Sequence, residues 1–113
     1  MLNRLDILRL TEASLDANRP DYGRKLAREW LQAWPQDFSI NLLLARALSA
    51  EGDNDDALEI LNKLAIIDPE RAEVQQVIAT VADAMGNRML HDKSEGLSRV
   101  LLGGSLPRVP WMV

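Results

Sequence analysis

Four acids, Glu51, Asp53, Asp55 and Asp56, crowd into six consecutive positions and are the nearest this chain comes to an oxygen-ligand set for a divalent cation. A calcium loop needs a glycine at its sharp turn and a bidentate glutamate at its end, and neither falls at the required spacing. The run therefore reads as solvated acids gathered where a helix begins, because carboxylates are favoured at that positive end. His91 is the one histidine. Without a histidine partner, a cysteine or a serine in a nucleophile motif, it supports neither a zinc site nor a triad and reads as structural. No paired carboxylates or phosphate loop stand out elsewhere, so no catalytic residue, metal or cofactor is expected and the chain is not read as an enzyme.

One further motif, Pro107-Arg108-Val109-Pro110, has the form of a minimal proline-rich ligand and is followed by Trp111-Met112-Val113. The pattern is short and common, which makes burial the better reading. Leu106, Val109, Trp111 and Met112 are expected to cover apolar surface left open by the last helix, within the chain or on a neighbour. Self-association through the C-terminal end follows as an expectation.

Composition narrows the field. A chain of 113 residues suits one domain, and its 47% hydrophobic and 27% charged content is that of a soluble globular protein. A net charge of −4 disfavours nucleic acid, whose binding relies on Lys and Arg to neutralise phosphates. The absence of cysteine removes disulfides and thiolate chemistry. Charged residues interrupt the opening Met1-Leu2-Asn3-Arg4-Leu5-Asp6, and no later stretch is apolar for long enough to span a bilayer. Secretion and membrane insertion are disfavoured, leaving the cytoplasm as the expected compartment.

Helices must position whatever surface the chain offers. Pro35 and Pro69 lie 34 residues apart, and sliding the chain by that spacing sets Ile40 on Val74, Leu43 on Val77, Leu44 on Ile78, Ala45 on Ala79, Ala50 on Ala84 and Gly52 on Gly86. Such self-similarity predicts stacked helical hairpins, all-α, in units of about 4–37, 38–71 and 72–104 that form one domain over 1–104. Residues 105–113 are expected to be an extended tail, since Pro107 and Pro110 forbid regular helix.

The middle unit is the most regular. Ile40, Leu43, Leu44, Ala47 and Leu48 make one buried helical face, Gly52 closes that helix, and Asp53 is placed to cap the next. Ala57, Leu61, Leu64 and Ala65 form the second stripe, which ends before Pro69. In the first unit, Leu5, Leu8 and Leu15 with Ile7 and Leu10 give a helix with apolar residues on two sides. A second helix begins near Pro20 and carries Gly23, Leu26, Ala27, Trp30, Leu31 and Trp34 on one face. In the third, Val74, Val77, Ile78, Val81 and Ala82 are well spaced and Gly86-Asn87 repeats the stop and cap. Its last helix is expected to be frayed or bent, because Ser94 interrupts the stripe of Leu90, Leu97 and Leu101 and Gly96 weakens the interior.

The stretch from Phe38 to Pro69 resembles the tetratricopeptide repeat family, arrays of antiparallel helix pairs about 34 residues long. Leu44-Ala45 is similar to the large-then-small pair of the family's first helix, Leu48 to its later large residue and Gly52-Asp53 to the turn. Ala57 resembles the small residue where the helices cross, with Leu61 four positions on and Pro69 as the terminal proline. Asn41 stands where the family usually has tryptophan, and His91 replaces the small crossing residue of the third unit, which no proline closes.

The resemblance implies a protein or peptide partner held in a concave groove lined by the first helix of each unit, near Arg9, Glu12, Arg46, Ser49, Glu73, Gln76, Thr80 and Asp83. Its mixed charge argues against a clamp for chaperone carboxylate tails, and Arg46 is the preferred contact. Trp34 falls where the family has a small polar residue. It is read either as an exposed interface anchor, with Trp111 as a second, or as packed beneath the first unit. The competing function is a structural or self-associating piece of a larger assembly.

Overall fold

The computed structural model describes residues 2–103, and among them the chain forms six helices and no strand: α1 (Arg4–Asp16), α2 (Pro20–Ala33), α3 (Phe38–Ala50), α4 (Asn54–Ile67), α5 (Ala72–Ala84) and α6 (Arg88–Leu101). The expected tail and Trp111 lie outside the described residues. Consecutive helices pack as antiparallel neighbours throughout, and the first helices of successive pairs also touch, α1 against α3 and α3 against α5. No contact joins α2 to α4 or α4 to α6. An array whose inner helices meet while its outer helices stand apart must curve toward the inner layer, so α1, α3 and α5 line the concave side. The shape is long and narrow, 57 × 28 × 22 Å.

Local chemistry sets where each helix starts and stops. The Asn3 side chain accepts from the Asp6 N–H while Asp6 returns a bond to the Asn3 N–H, a reciprocal cap on α1. Pro20 occupies the first turn of α2, where its missing N–H costs nothing. Gly52 and Gly86 take φ of +91° and +71°, the left-handed geometry that ends α3 and α5. Asn87 caps α6 by accepting from the Leu90 N–H at 3.2 Å. Asp53 departs from expectation: it stands at the cap position of α4 but its side chain makes no capping bond. Its backbone is drawn back instead, with the N–H bonding the Leu48 carbonyl at 2.8 Å.

The core follows the middle of the array. Ile40, Leu48, Leu61, Val74 and Val81 are fully buried, each contributing about 1.5–3 kcal/mol through removal from water. Ala45, Ala57 and Ala82 are also fully buried and let helices approach closely.

Both ends of the array correct the sequence reading. In α1 the buried face is Ile7, Thr11 and Ser14, while Leu5 is half exposed and Leu8, Leu10 and Leu15 are only partly covered. Small polar residues win that face because α2 brings Gly23 against it, where an added Cβ would lie 3.2 Å from the Thr11 methyl and closer still to the Ser14 hydroxyl. Ser14 Oγ donates to the Thr11 carbonyl at 2.8 Å, whereas Thr11 Oγ1 is buried without a hydrogen-bond partner among the described residues.

At the other end, α6 is one unbroken helix rather than a frayed one. Ser94 and Ser98 do not interrupt its buried stripe. They are its most buried residues, 2% and 6% exposed, and α5 is the helix they pack against. Leu97, expected inside, is 41% exposed.

Candidate protein-interaction surface

A groove of about 420 Å³ opens on the concave side where α1, α3 and the start of α5 meet. Leu5, Leu8, Arg9 and Glu12 come from α1, Ser39, Leu42, Leu43 and Arg46 from α3, and Arg71 and Glu73 from the entrance to α5. Each quartet lies along one helical face, because residues three and four apart share a side. The floor is leucine and the rim is charged. Arg9 and Arg46 have no acid within 4 Å among the described residues, so both guanidinium groups remain available to a partner. Arg71 is already engaged: it bonds Asp68 at 3.2 Å and lies over the Phe38 ring at 4.5 Å.

Four of the eight residues expected to line a groove, Arg9, Glu12, Arg46 and Glu73, meet here. The other four do not. Ser49 is turned into the α3–α4 connection, where its hydroxyl bonds Asn54 at 2.9 Å. Gln76 and Thr80 are exposed further along α5, Thr80 Oγ1 donating back to the Gln76 carbonyl at 3.0 Å. Asp83 lines a separate hollow of about 200 Å³ with Asn87, Arg88, His91 and Asp92. The reading of the sequence missed the leucine floor, Ser39 and Arg71. The repeat itself carried that signal, since Leu5, Leu8, Arg9 and Glu12 displaced by 34 positions fall on Ser39, Leu42, Leu43 and Arg46.

A second surface lies at the junction of the first two helix pairs. Trp34 is 60% exposed, so it does not pack beneath the first unit, and its ring stands 6.3 Å from that of Trp30 at 31°. With Ala33, Pro35 and Gln36 the two indoles line an apolar hollow of about 470 Å³, closed on one side by Arg4 and Asp37. A neighbouring hollow of about 450 Å³, bounded by Leu2, Ile7 and Leu26, reaches the same indoles.

Asp37 organises this junction. Its carboxylate accepts from Arg4 Nε at 2.8 Å and Nη2 at 3.1 Å, from Trp30 Nε1 at 2.9 Å and from the Ile40 N–H at 3.3 Å as the cap of α3. Burial works to raise its pKa, but the bonds from Arg4, Trp30 and Ile40 outweigh that and hold it below the usual carboxylate range. On the opposite side Arg24 of α2 pairs with Glu51, the residue that ends α3, at 2.9 Å.

His91 sits beside two acids of its own helix. Nδ1 is 3.2 Å from Asp92 and Nε2 is 3.7 Å from Glu95, and one ligand atom from each of the three lies within 4.8 Å of the others. Glu95 is also bound by Arg99, and Asp92 is 69% exposed, which is the arrangement of a solvated charged face. Among the described residues no helix is long and apolar enough to cross a membrane.

Comparison with known proteins adds one finding. The model of a family described as tetratricopeptide repeat matches residues 8–81, a span that runs from within α1 to within α5 and takes in most of the groove. No curated protein and no solved structure matches the chain.

Proposed function

The chain belongs to the tetratricopeptide repeat family, and on that premise we propose that it is an interaction module that holds a protein or peptide partner along its concave face. Repeats of this family generally mediate protein–protein interaction or scaffolding. One observation supports it: the groove between α1, α3 and α5 joins a leucine floor to two guanidinium groups, Arg9 and Arg46, that have no acid within 4 Å among the described residues although Glu12 and Glu73 share the rim. A bound segment gains apolar burial there and a charged contact in one place, the combination that concentrates binding energy in a few residues. Arg46 and Arg9 are the contacts assigned to it, with Leu5 and Leu8 beneath. The reading assigns no catalytic step to the chain.

Cross-linking mass spectrometry of the tagged protein with its captured partners tests this. Cross-links from partners are expected along α1 and α3 and should disappear with Arg9→Glu and Arg46→Glu together, while Arg28→Glu on α2 leaves them. Capture and cross-linking indifferent to the double change would remove the groove from the reading.

A second reading, self-association as a piece of a larger assembly through the C-terminal end, draws on Met89, Leu97 and Leu102, which are exposed on or just beyond α6. Sedimentation at high concentration decides it: a monomer at every concentration ends that reading.

A further inference from the structure

We infer that the hollow beside Trp30 and Trp34 is a binding site for an arginine side chain of a protein partner. The two indoles line it with Leu2, Leu26 and Ala33, and its volume is about 450 Å³. Glu29 is the only charged residue on that lining among the described residues. Its carboxylate has no cation within 4 Å among the described residues, although Lys25 stands four positions before it on the same helix. An apolar hollow with one uncompensated acid on its wall is the complement of a side chain that joins an alkyl stem to a positive head.

The aromatic wall is held in place before anything binds. Trp30 Nε1 donates to Asp37 at 2.9 Å, which fixes that ring, and the Trp34 ring stands 6.3 Å from it at 31°. Arg4 borders the adjoining hollow, but its guanidinium is paired with Asp37 at 2.8 Å and its charge is offset there. Trp34 keeps 60% of its surface in water, and among the described residues no cation lies over either indole. Tryptophan offers the best aromatic face for a cation, and the planar guanidinium of arginine both stacks on such a face and pairs with a carboxylate. The same chemistry is complete one repeat along, where Arg71 lies over the Phe38 ring at 4.5 Å and bonds Asp68 at 3.2 Å. At Trp34 the aromatic faces and the acid are present, and the guanidinium is left for a partner to supply.

Glu29 decides for arginine over a purely apolar side chain. An apolar group entering the hollow strips water from that carboxylate and returns no counter-charge, whereas a guanidinium replaces the lost water with a charged contact. The site shares no lining residue with the groove between α1, α3 and α5, so either can fail without the other.

Heteronuclear NMR spectra of the full chain test this by following the indole N–H signals of Trp30 and Trp34 while the blocked tripeptide acetyl-Gly-Arg-Gly-amide is added. Both signals should move and saturate. The same tripeptide with citrulline in place of arginine, alike in shape but uncharged, should bind at least about fivefold more weakly. Glu29→Gln should weaken the arginine peptide about threefold and leave the citrulline peptide unchanged. Glu29 is exposed, so the substitution does not threaten folding, and Glu70→Gln, at an exposed acid in the next connection, should leave both peptides unchanged. Equal binding of the two peptides would overturn the inference and make the hollow an apolar contact. So would indole signals that stay still, a response indifferent to Glu29→Gln, or an equal loss with Glu70→Gln.

Discussion

Arg4 holds the carboxylate of Asp37 through two nitrogens, at 2.8 and 3.1 Å, although the two residues lie 33 positions apart in sequence. The same carboxylate takes the indole N–H of Trp30, so α1, α2 and α3 are tied at one partly buried acid whose side chain is only 8% exposed. Asp37→Ala should therefore destabilise the protein by about 2 kcal/mol, from a lost helix cap and the donors left unpaired. Arg4→Ala should cost less, about 1 kcal/mol, because half of that side chain stays in water. Urea denaturation measures both, and a smaller loss for Asp37→Ala than for Arg4→Ala would refute this account of the junction.

The pH dependence of the same acid has a definite sign. Its folded pKa is lowered relative to the ordinary 3.8, so its contribution is fully present above that value and is lost as pH falls through the folded one. Stability should decline below about pH 4 in the natural chain. Asp37→Asn should be less stable at pH 7 and show a flatter profile on the acid side. Parallel acid profiles for the two proteins would contradict the assignment.

Gly23→Ala should be among the most damaging single-methyl additions in the molecule. Its Cβ would press on Thr11 and Ser14, where both α1 side chains are already buried, at a cost of about 1–3 kcal/mol. Thermal denaturation should show a clear fall in midpoint, whereas Gly96→Ala, with open space around it, should show none of comparable size.

Thr11→Val should act in the opposite direction. The hydroxyl is buried without a partner among the described residues and valine has the same shape, so removing it relieves a desolvation penalty and should raise stability by about 1 kcal/mol. A loss of stability in chemical denaturation would mean that the hydroxyl has a partner.

Leu5→Asp separates binding from folding in the groove. Leu5 is half exposed at the groove edge, so the folded state should change by no more than about 0.5 kcal/mol. Partner affinity should fall at least about tenfold, since one apolar contact is lost and a carboxylate is buried in its place. Titration of a cross-linked partner peptide would show it, and unaltered affinity would clear Leu5 of any role.

The middle of the array was legible in the sequence because large aliphatic residues at helical spacing leave only one solution. Ile40, Leu44, Leu48, Leu61 and Val74 are all buried where their periodicity put them, and Gly52, Gly86 and Pro69 punctuate the helices as their backbone preferences require. The end helices were misread for a common physical reason. Thr11, Ser14, Ser94 and Ser98 look like breaks in an apolar stripe, yet small side chains are what a close helix crossing demands, and the leucines beside them are pushed toward solvent. Ser49, Gln76, Thr80 and Asp83 lie outside the cavity, which stops where α5 begins. A one-residue view of charge gave no sign of that limit, and the repeat register of Leu5 and Ser39 did.

The separation of α2, α4 and α6 from one another has a mechanical meaning. Three outer rods joined only through an inner spine can tilt like the slats of a blind, widening or narrowing the gaps between them while the spine's own packing is kept. Any bending of the array must therefore open or close the gaps on the convex side, where no outer helix touches another.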